Sequence, residues 1–415
     1  MKKGYIPKNQ RKTILMLSDD IRTFSGVGNM AREIIVNTAH RYNWINLGGA
    51  VNHPDHGKGF DLSQDVNTQA GLTDSNVKVI AAKNYGSADM LRHIITQEKP
   101  DWAIKYVPHG IDEKKFYPII NDLEFEVWKE NFLEKEKYDF IVLWNSRNIR
   151  RKNPSDIILS WRTFLDQLPK EQAKKCLLIM HTDPIDGNGT DLPAVVEAFC
   201  NPEIHKVKFD GVKWNEKELN YLYNISDCHM FMTDNEGWGL GLTESLTAGK
   251  MIIAPVQGGM QDQMRFEDEN GDWINFTTEY PTNVSGKYKK CGDWAIPIFP
   301  KTRSVKGSPQ TPYIFASQCS IEDATMALMK VYKMGSKERT KRGLKGREWV
   351  LSEESGFTSK VMGQRFIDNI DNLLKKWKPQ SRFNLIKVDD STLHNNYNNL
   401  PISLTPEFIK EIQSI

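Results

Sequence analysis

The stretch that decides the fold is residues 235–244, NEGWGLGLTE, in which two glutamates eight positions apart enclose three glycines. An apolar run at residues 227–232 precedes it. A helical run ending at Gly249 and a second apolar run at residues 251–255 follow. This order of strand, glycine loop, helix and strand predicts a loop at the carboxyl edge of a parallel sheet, where open α/β folds bind ligands. Glycines let backbone amides approach a ligand, and a helix N-terminus favours phosphate.

Spacing alone leaves two interpretations of this loop open. In the first, the glycines serve turn geometry and the glutamates are solvated, because isolated glycine patterns are common. In the second, Glu236 in the loop and Glu244 about one turn into the helix face the same bound molecule. Carboxylates accept paired hydrogen bonds from vicinal hydroxyls, as an acidic residue does with ribose in dinucleotide-binding folds. The second interpretation therefore predicts a nucleotide or sugar site.

The segment EGWGLGLTESLTAGK, residues 236–250, resembles the signature of retaining glycosyltransferases of family four. These enzymes have the GT-B architecture, in which two Rossmann-like, doubly wound α/β domains face each other across a cleft. The resemblance implies that Glu236 contacts the donor sugar and Glu244 the nucleotide ribose. The backbone amides expected to hold phosphate are those of Gly237, Trp238, Gly239, Leu240, Gly241 and Leu242. The family usually has Phe at position 238 and Ala at position 245, and neither change removes a polar contact.

A basic turn follows the strand predicted at residues 140–146, and it contains Arg147 and Lys152. Considered alone, this turn would be interpreted as a solvated surface. In the resembled family an arginine and a lysine with this spacing neutralise the donor diphosphate, and fixed cations stabilise the charge that develops on a leaving phosphate. The resemblance thus makes Glu236, Arg147 and Lys152 the predicted catalytic residues, with no metal and no other cofactor required.

Two further glycine pairs are candidate donor-binding positions. Gly26 and Gly28 follow the strand predicted at residues 13–18 and open a helical pattern, although turn chemistry would also explain them. Gly258 and Gly259 follow the apolar run at residues 251–255 and resemble the family's glycine turn beneath the donor.

The length of 415 residues predicts two domains, because one core rarely supports so long a chain. We expect an acceptor-side domain at residues 1–106, a nucleotide-sugar-binding domain at 107–355, a crossover helix at 356–378 and a tail at 379–415. Residues 107–112, VPHGID, resemble the family's interdomain element, with His109 replacing the usual Asn.

About 105 residues supply three to four strands, so the first domain is predicted to be shortened, or a segment near residues 100–106 is absent from the sequence. The family's catalytic His or acidic motif normally lies in that region, and no residue here takes its role. His109 is interpreted as a structural hinge residue. His53, Asp55 and His56 could suggest a metal, but a polar loop facing the acceptor is the favoured interpretation. Residues 270–316 are interpreted as an insertion that could reach the acceptor.

Composition is that of a globular chain, with 39% hydrophobic residues and no apolar run near the ~20 residues of a membrane span. The basic start lacks an apolar signal core, so a cytoplasmic location is expected. Five scattered cysteines are predicted to be free thiols. A net charge of +2 does not require a polyanionic partner, but basic clusters could form either solvated faces or a DNA-tracking surface. They lie at residues 2–12, 147–152, 287–290, 301–306, 337–347 and 375–382.

The sequence therefore predicts a retaining hexosyl- or pentosyltransferase that uses a nucleotide-diphosphate sugar, with a UDP-sugar favoured. The acceptor stays open between a small molecule, lipid or polysaccharide and a hydroxymethylated base in phage DNA, since phage DNA glycosyltransferases share the GT-B architecture. Two rival hypotheses are a non-catalytic nucleotide-sugar binding module and a GT-B sugar-nucleotide epimerase.

Overall fold

The computed structural model describes residues 4–23, 25–50, 55, 58–83, 107–274, 288, 290–307 and 314–376. Several expectations lie outside these ranges, namely His53, His56, a helix that the spacing of apolar residues predicts at 87–97, the segment at 100–106 and the tail from 379. The chain divides into two compact units, Met1–Ile370 and Asp371–Ile415, and both large sheets belong to the first.

The first sheet is built from the amino-terminal quarter of the chain. Its strands are β1 (Lys12–Asp19), β2 (Tyr42–Ala50), β3 (Gly59–Asp61) and β4 (Val77–Lys83), in the order β1-β2-β4-β3. β1, β2 and β4 are parallel and β3 runs antiparallel to β4. Helix α1 (Gly26–Thr38) buries Ile34 and Ile35 against this sheet, and α2 (Ser63–Ala70) buries Val66 and Ala70. The sequence predicts strands at residues 13–18, 43–48 and 77–82, and β1, β2 and β4 confirm all three.

The second sheet has six parallel strands in the order β10-β9-β8-β5-β6-β7. They are β5 (Phe140–Asn145), β6 (Cys176–His181), β7 (Val207–Asp210), β8 (Cys228–Met230), β9 (Met251–Pro255) and β10 (Ala295–Ile298). Every residue of β8 and β9 is buried, as is typical of a parallel sheet covered on both faces. The strand order reverses between β5 and β8, so the crevice expected to bind ligands lies where these two strands end.

The sequence predicts helices at residues 155–168, 193–199, 215–223, 322–332 and near 337–350, and each agrees with an observed helix to within three residues at each end. The helices around the second sheet are α4 (Pro154–Leu165), α6 (Leu192–Phe199), α7 (Glu216–Ile225), α8 (Leu240–Thr247), α9 (Ile321–Lys333) and α10 (Gly335–Leu351). Two more helices, α3 (Leu123–Phe132) and α5 (Lys170–Ala173), were not predicted. Each buries a single side chain, Phe125 or Ala173, so neither shows a clear apolar periodicity.

Part of the stretch interpreted as an insertion belongs to the second sheet. β10 pairs with β9 in parallel, with Ala295 opposite Ile252, so the interpretation of residues 270–316 as an insertion is wrong for this strand. Its sequence, AIPI, is short and contains Pro297, which is tolerated because the strand lies at the sheet edge. Beyond it, β11 (Thr302–Val305) and β12 (Phe315–Gln318) form an antiparallel pair.

The connection between the two sheets pairs with the segment that leads into the last described helix. The N–H of Ile111 donates to the carbonyl oxygen of Phe357 at 2.9 Å, and that of Ser359 donates to the carbonyl oxygen of Ile111 at 2.8 Å. Helix α11 (Ser359–Lys376) then buries Met362 and Ile367 in the core of the first sheet. In the described part of the chain, no helix combines the length and apolarity needed to cross a membrane.

Candidate active site

Lys152 and Glu236 meet at the reversal point of the second sheet. Lys152 closes the short turn that follows β5, and Glu236 lies in the loop that follows β8. The Lys152 ammonium donates to Oε2 of Glu236 and lies 5.6 Å from the centre of the Phe231 ring. Only 10% of the lysine side chain and 16% of the glutamate side chain are exposed. The structure thus brings these two predicted site residues into direct contact.

Arg151 is a third charged member of this cluster, and its position in the basic turn did not indicate this contact from the sequence. Its Nη1 donates to the carbonyl oxygen of Asn235 at 2.8 Å and to Oε2 of Glu236 at 3.3 Å. Burial, and next the charge of Arg151, lower the pKa of Lys152 to about 7. The contacting Glu236 carboxylate favours the ammonium form. Two cations thus surround one carboxylate in a largely buried position, where an arriving diphosphate could replace that carboxylate as their partner.

Arg147 contacts a different carboxylate. Its Nε donates to Oδ2 of Asp186 at 2.8 Å, and 65% of its side chain is exposed. Asp186 lies in the loop after β6, the strand next to β5. The hydrogen bond with Asp186 raises the pKa of the Arg147 guanidinium. The structure therefore brings Lys152 to Glu236 directly, whereas Arg147, in the same turn, is paired with a carboxylate of the neighbouring loop after β6.

Glu244 lies in the second turn of α8, where Tyr223 contacts it. The Tyr223 hydroxyl donates to Oε2 of Glu244 at 2.5 Å and accepts from Nδ2 of Asn145 at 2.8 Å. Burial raises the pKa of Glu244, while the hydrogen bond from Tyr223 acts in the opposite direction. Burial also raises the pKa of Tyr223, and the Glu244 charge raises it further. Tyr223 is consequently a protonated donor at neutral pH.

The loop between the two glutamates is supported by the predicted glycine turn. Gly258 has a φ of +50°, and a Cβ there would lie 2.1 Å from the carbonyl oxygen of Glu236. The N–H of Gly259 donates to the carbonyl oxygen of Gly237 at 2.9 Å. A side chain at either glycine would displace the loop that carries Glu236. Gly258 and Gly259 therefore act on the site through the backbone of this loop.

Three residues between the two glutamates differ in the groups that they can offer to a ligand. Gly239 has a φ of +84° and begins α8 with no side-chain cap, which leaves the helix end open to an anion. The ring of Trp238 is 4% exposed and its Nε1 donates to Thr243, so Trp238 can offer only its backbone to a donor. The N–H of Leu242 already donates to the carbonyl oxygen of Gly239 at 2.9 Å, because the first turn of α8 closes there.

The glycine loop of the first sheet reaches the start of α8. A Cβ on Gly26 would lie 3.3 Å from Cδ1 of Leu240, so the N-termini of α1 and α8 lie next to each other. Gly28 has no room for a side chain, because a Cβ would lie 2.8 Å from Oγ1 of Thr23. Its N–H donates to the hydroxyl of Ser25, which caps α1 and itself donates to Asp19. Ser25 and Asp19 were not singled out from the sequence, since neither belongs to a spaced motif.

His109 packs on the loop between β8 and α8. Its ring is stacked on Trp238 with a centroid distance of 5.5 Å, and among the described residues its buried Nδ1 has no hydrogen-bond partner. Burial lowers the pKa of His109 to about 4. These contacts agree with a structural role in the connection between the two sheets. No group of three or more potential metal ligands occurs in the described ranges.

The His109→Asn variant is expected to resist acid better than the wild type. Because the folded pKa lies below the usual value of about 6.5, the unfolded chain binds more protons between pH 6.5 and 4, and folding stability is lost as the pH falls through that range. The free energy of unfolding can be measured in urea at pH 8 and at pH 4.5. Between these two pH values it should fall by about 2 kcal/mol less in the variant than in the wild type. At pH 8 His109 is neutral in both the folded and the unfolded wild type, so the difference in stability between wild type and variant at that pH reports packing alone. Equal losses of stability in the wild type and the variant would contradict the lowered pKa of His109.

The chain resembles several solved structures. A glycosyltransferase from Rickettsia africae shares 13% identity with the chain at a TM-score of 0.55, over 89% of this chain and 100% of that one. The C-terminal domain of a glycosyl transferase group 1 family protein from Francisella tularensis shares 18% identity over 59% and 98% of the two chains, with a TM-score of 0.39. An Anabaena protein in complex with UDP and glucose shares 14% identity over 88% and 72%, with a TM-score of 0.43.

No family model and no curated protein sequence matches the chain. The likeness to the Rickettsia structure extends over both sheets, and the strand order of the second sheet is that of a doubly wound α/β fold. The chain therefore has a mixed α/β fold of the GT-B type, with Rossmann-like parallel sheets.

Proposed function

We propose that the chain is a retaining glycosyltransferase that moves a hexose or pentose from a nucleotide-diphosphate sugar, with UDP as the favoured nucleotide, to a hydroxyl acceptor. The observation that carries this proposal is the buried Lys152–Glu236 pair at the point where the strand order of the second sheet reverses. Open α/β sheets bind ligands at this point, and Glu244 lies on the helix that starts there.

The charges of the cluster suit a diphosphate. Lys152 and Arg151 supply two positive charges at the β5 edge, and the uncapped N-terminus of α8 supplies a partial one. When a diphosphate takes the place of Glu236 beside Lys152, the Glu236 carboxylate becomes able to accept hydrogen bonds from sugar hydroxyls. Arg147 could join the diphosphate by exchanging its exposed contact with Asp186, which costs little because exposed ion pairs contribute little free energy.

The proposed chemistry needs no side-chain base. The bond between the anomeric carbon and the β-phosphate oxygen breaks while the acceptor oxygen bonds to the same face of that carbon. The acceptor proton passes to a β-phosphate oxygen, and the nucleoside diphosphate leaves. Lys152 and Arg151 stabilise the negative charge that develops on the leaving group, and fixed cations in a buried site do so more strongly than solvated ones.

The acceptor would approach from the first sheet, because the Gly26 loop lies beside the start of α8. A small-molecule, lipid or polysaccharide hydroxyl is the first hypothesis, and a hydroxymethylated base in duplex DNA is the alternative. A base inside a duplex would have to be flipped out, and affinity for the duplex would fall steeply with salt. A duplex affinity that survives only at very low salt would show weak, non-specific phosphate contacts alone and would count against the DNA acceptor.

The experiment that tests the proposal is a thermal-shift screen of nucleotide-diphosphate sugars followed by a turnover assay. A ligand at 100 times its dissociation constant adds about 2.7 kcal/mol of stability, which gives a clear shift. A transferase should release nucleoside diphosphate when an acceptor is added. A sugar-nucleotide binding module would show the shift without release, and an epimerase would convert the sugar without an acceptor. Absence of any shift across the panel would overturn the proposal.

A further inference from the structure

The Tyr223 hydroxyl holds one oxygen of Glu244 in a fixed direction. Tyr223 is fully buried in the last turn of α7, Glu244 lies in α8 and Asn145 is the final residue of β5. The phenol proton points to Oε2 of Glu244 at 2.5 Å, and a phenol lone pair accepts from the Asn145 amide at 2.8 Å. A hydroxyl has one proton to donate, so its use on Glu244 leaves the phenol with no second donor function.

The other carboxylate oxygen of Glu244 has a different environment. Within the described ranges, Tyr223 is the hydrogen-bond donor to this carboxylate, and it contacts Oε2 alone. Oε1 and the second lone pair of Oε2 are therefore available to accept from a ligand. Two neighbouring hydroxyls fit this arrangement, because a carboxylate presents its oxygens side by side.

His229 holds the backbone around the Tyr223–Glu244 contact through two hydrogen bonds. Nδ1 of His229 donates to the carbonyl oxygen of Gly241 at 2.9 Å, while Nε2 accepts from the N–H of Asn145 at 3.1 Å. These two bonds join the end of β5 to the first turn of α8. A Cβ on Gly241 would lie 2.8 Å from Cε1 of His229 and 3.4 Å from the Tyr223 hydroxyl. The glycine at position 241 therefore allows this close arrangement.

We propose that Tyr223 is a positioning residue that orients the Glu244 carboxylate towards two vicinal hydroxyls of the donor's ribose. The site should consequently distinguish a ribonucleotide from its 2′,3′-dideoxy counterpart, and Tyr223 should contribute to affinity only through that distinction. This inference rests on the proposed function, because it takes the nucleotide of the donor as the ligand of Glu244. A purely structural Tyr223 would instead affect all nucleotides equally.

The test compares UDP with 2′,3′-dideoxy-UDP by isothermal titration calorimetry on the full chain. Tyr223→Phe is expected to weaken UDP binding about tenfold, as for a lost hydrogen bond to a charged group, and to leave dideoxy-UDP binding unchanged. The matched control is Tyr221→Phe, because Tyr221 is a buried tyrosine of the same helix that packs on Phe125 and Trp128 instead. This control should bind both nucleotides like the wild type.

A double-mutant cycle with Glu244→Gln gives a second measurement. If Tyr223 acts through Glu244, adding Tyr223→Phe to Glu244→Gln should cost no further UDP affinity. If Tyr223→Phe fails to fold, Asn145→Ala replaces it, since it removes the donor that holds the phenol. That variant should also lose affinity for UDP selectively.

Three results would overturn the inference. An equal loss for both nucleotides would show a general structural role, and unchanged binding of both would show no role. Additive losses in the cycle would show that Tyr223 acts independently of Glu244. Wild-type protein that binds no nucleoside diphosphate would instead refute the proposed function, and this inference with it, so the two failures are distinguishable.

Discussion

Replacement of Glu236 by alanine is expected to abolish sugar transfer while the chain stays folded. The carboxylate contacts both Lys152 and Arg151. Its removal takes away the group proposed to contact the donor sugar and leaves two partly buried cations unpaired. The next residue, Gly237, is exposed and has open space around it, so the loop can tolerate the change. Turnover should fall by about 10² to 10³ or more, as when other preorganised charged or hydrogen-bonding groups are lost.

Glu236→Gln separates charge from shape, because it keeps the side-chain length and removes only the negative charge. We expect it to lose most of the same turnover. The matched control is Glu134→Gln, since Glu134 also pairs with a lysine, Lys208, at 2.6 Å, outside the loops that follow β5 and β8. Steady-state kinetics should be unchanged in this control, and far-ultraviolet circular dichroism should show all three variants folded. Wild-type turnover in Glu236→Ala would refute the site assignment.

Lys152→Met should give the second large loss, of about 10² to 10³ in turnover. The ammonium is nearly buried and lies at the end of β5, where the leaving phosphate is proposed to gain charge. Methionine keeps most of the apolar stem of the lysine but lacks the charged group, which lies 5.6 Å from the centre of the Phe231 ring. Lys208→Met is the control, because Lys208 also pairs with a glutamate and lies 5.3 Å from a phenylalanine ring, that of Phe132.

The pH dependence of donor binding tests the same residue with a defined sign. Because the pKa of Lys152 is lowered to about 7 in the free protein, more of the side chain is neutral as the pH rises above 7. Affinity for a nucleoside diphosphate should therefore fall between pH 7 and 9 in the wild type. Lys152→Arg keeps its charge throughout this range and should show a flatter profile. A wild-type profile independent of pH would argue against Lys152 as a diphosphate ligand.

The second sheet was predictable because its strands are buried on both faces. FIVLWN at β5 and MIIAP at β9 are continuous apolar runs, and a run of this kind bounded by polar residues predicts a buried parallel strand. β10 was missed because its four residues include Pro297 and follow a polar stretch. Its place in the sheet depends on pairing with Ile252 and its neighbours, which local sequence does not reveal.

The site was predictable in part for a similar reason. Residues that follow parallel strands reach the same sheet edge, so the positions of Lys152 after β5 and Glu236 after β8 indicated one site. Spacing does not show whether Arg147 or Arg151 contacts Glu236, because both lie in the same basic turn. Contact with Glu236 depends on the direction of each side chain, which the turn between β5 and α4 sets.

By itself, the sequence determined the class of fold and the loops that carry the candidate site, because apolar runs, glycines and charged residues act over a few neighbouring positions. Only the tertiary structure showed which groups meet across longer distances. The contacts of Tyr223 with Glu244 and of His109 with Trp238 are of this kind. They join separate elements of the chain, so they arise from packing between strands and helices rather than from any local pattern.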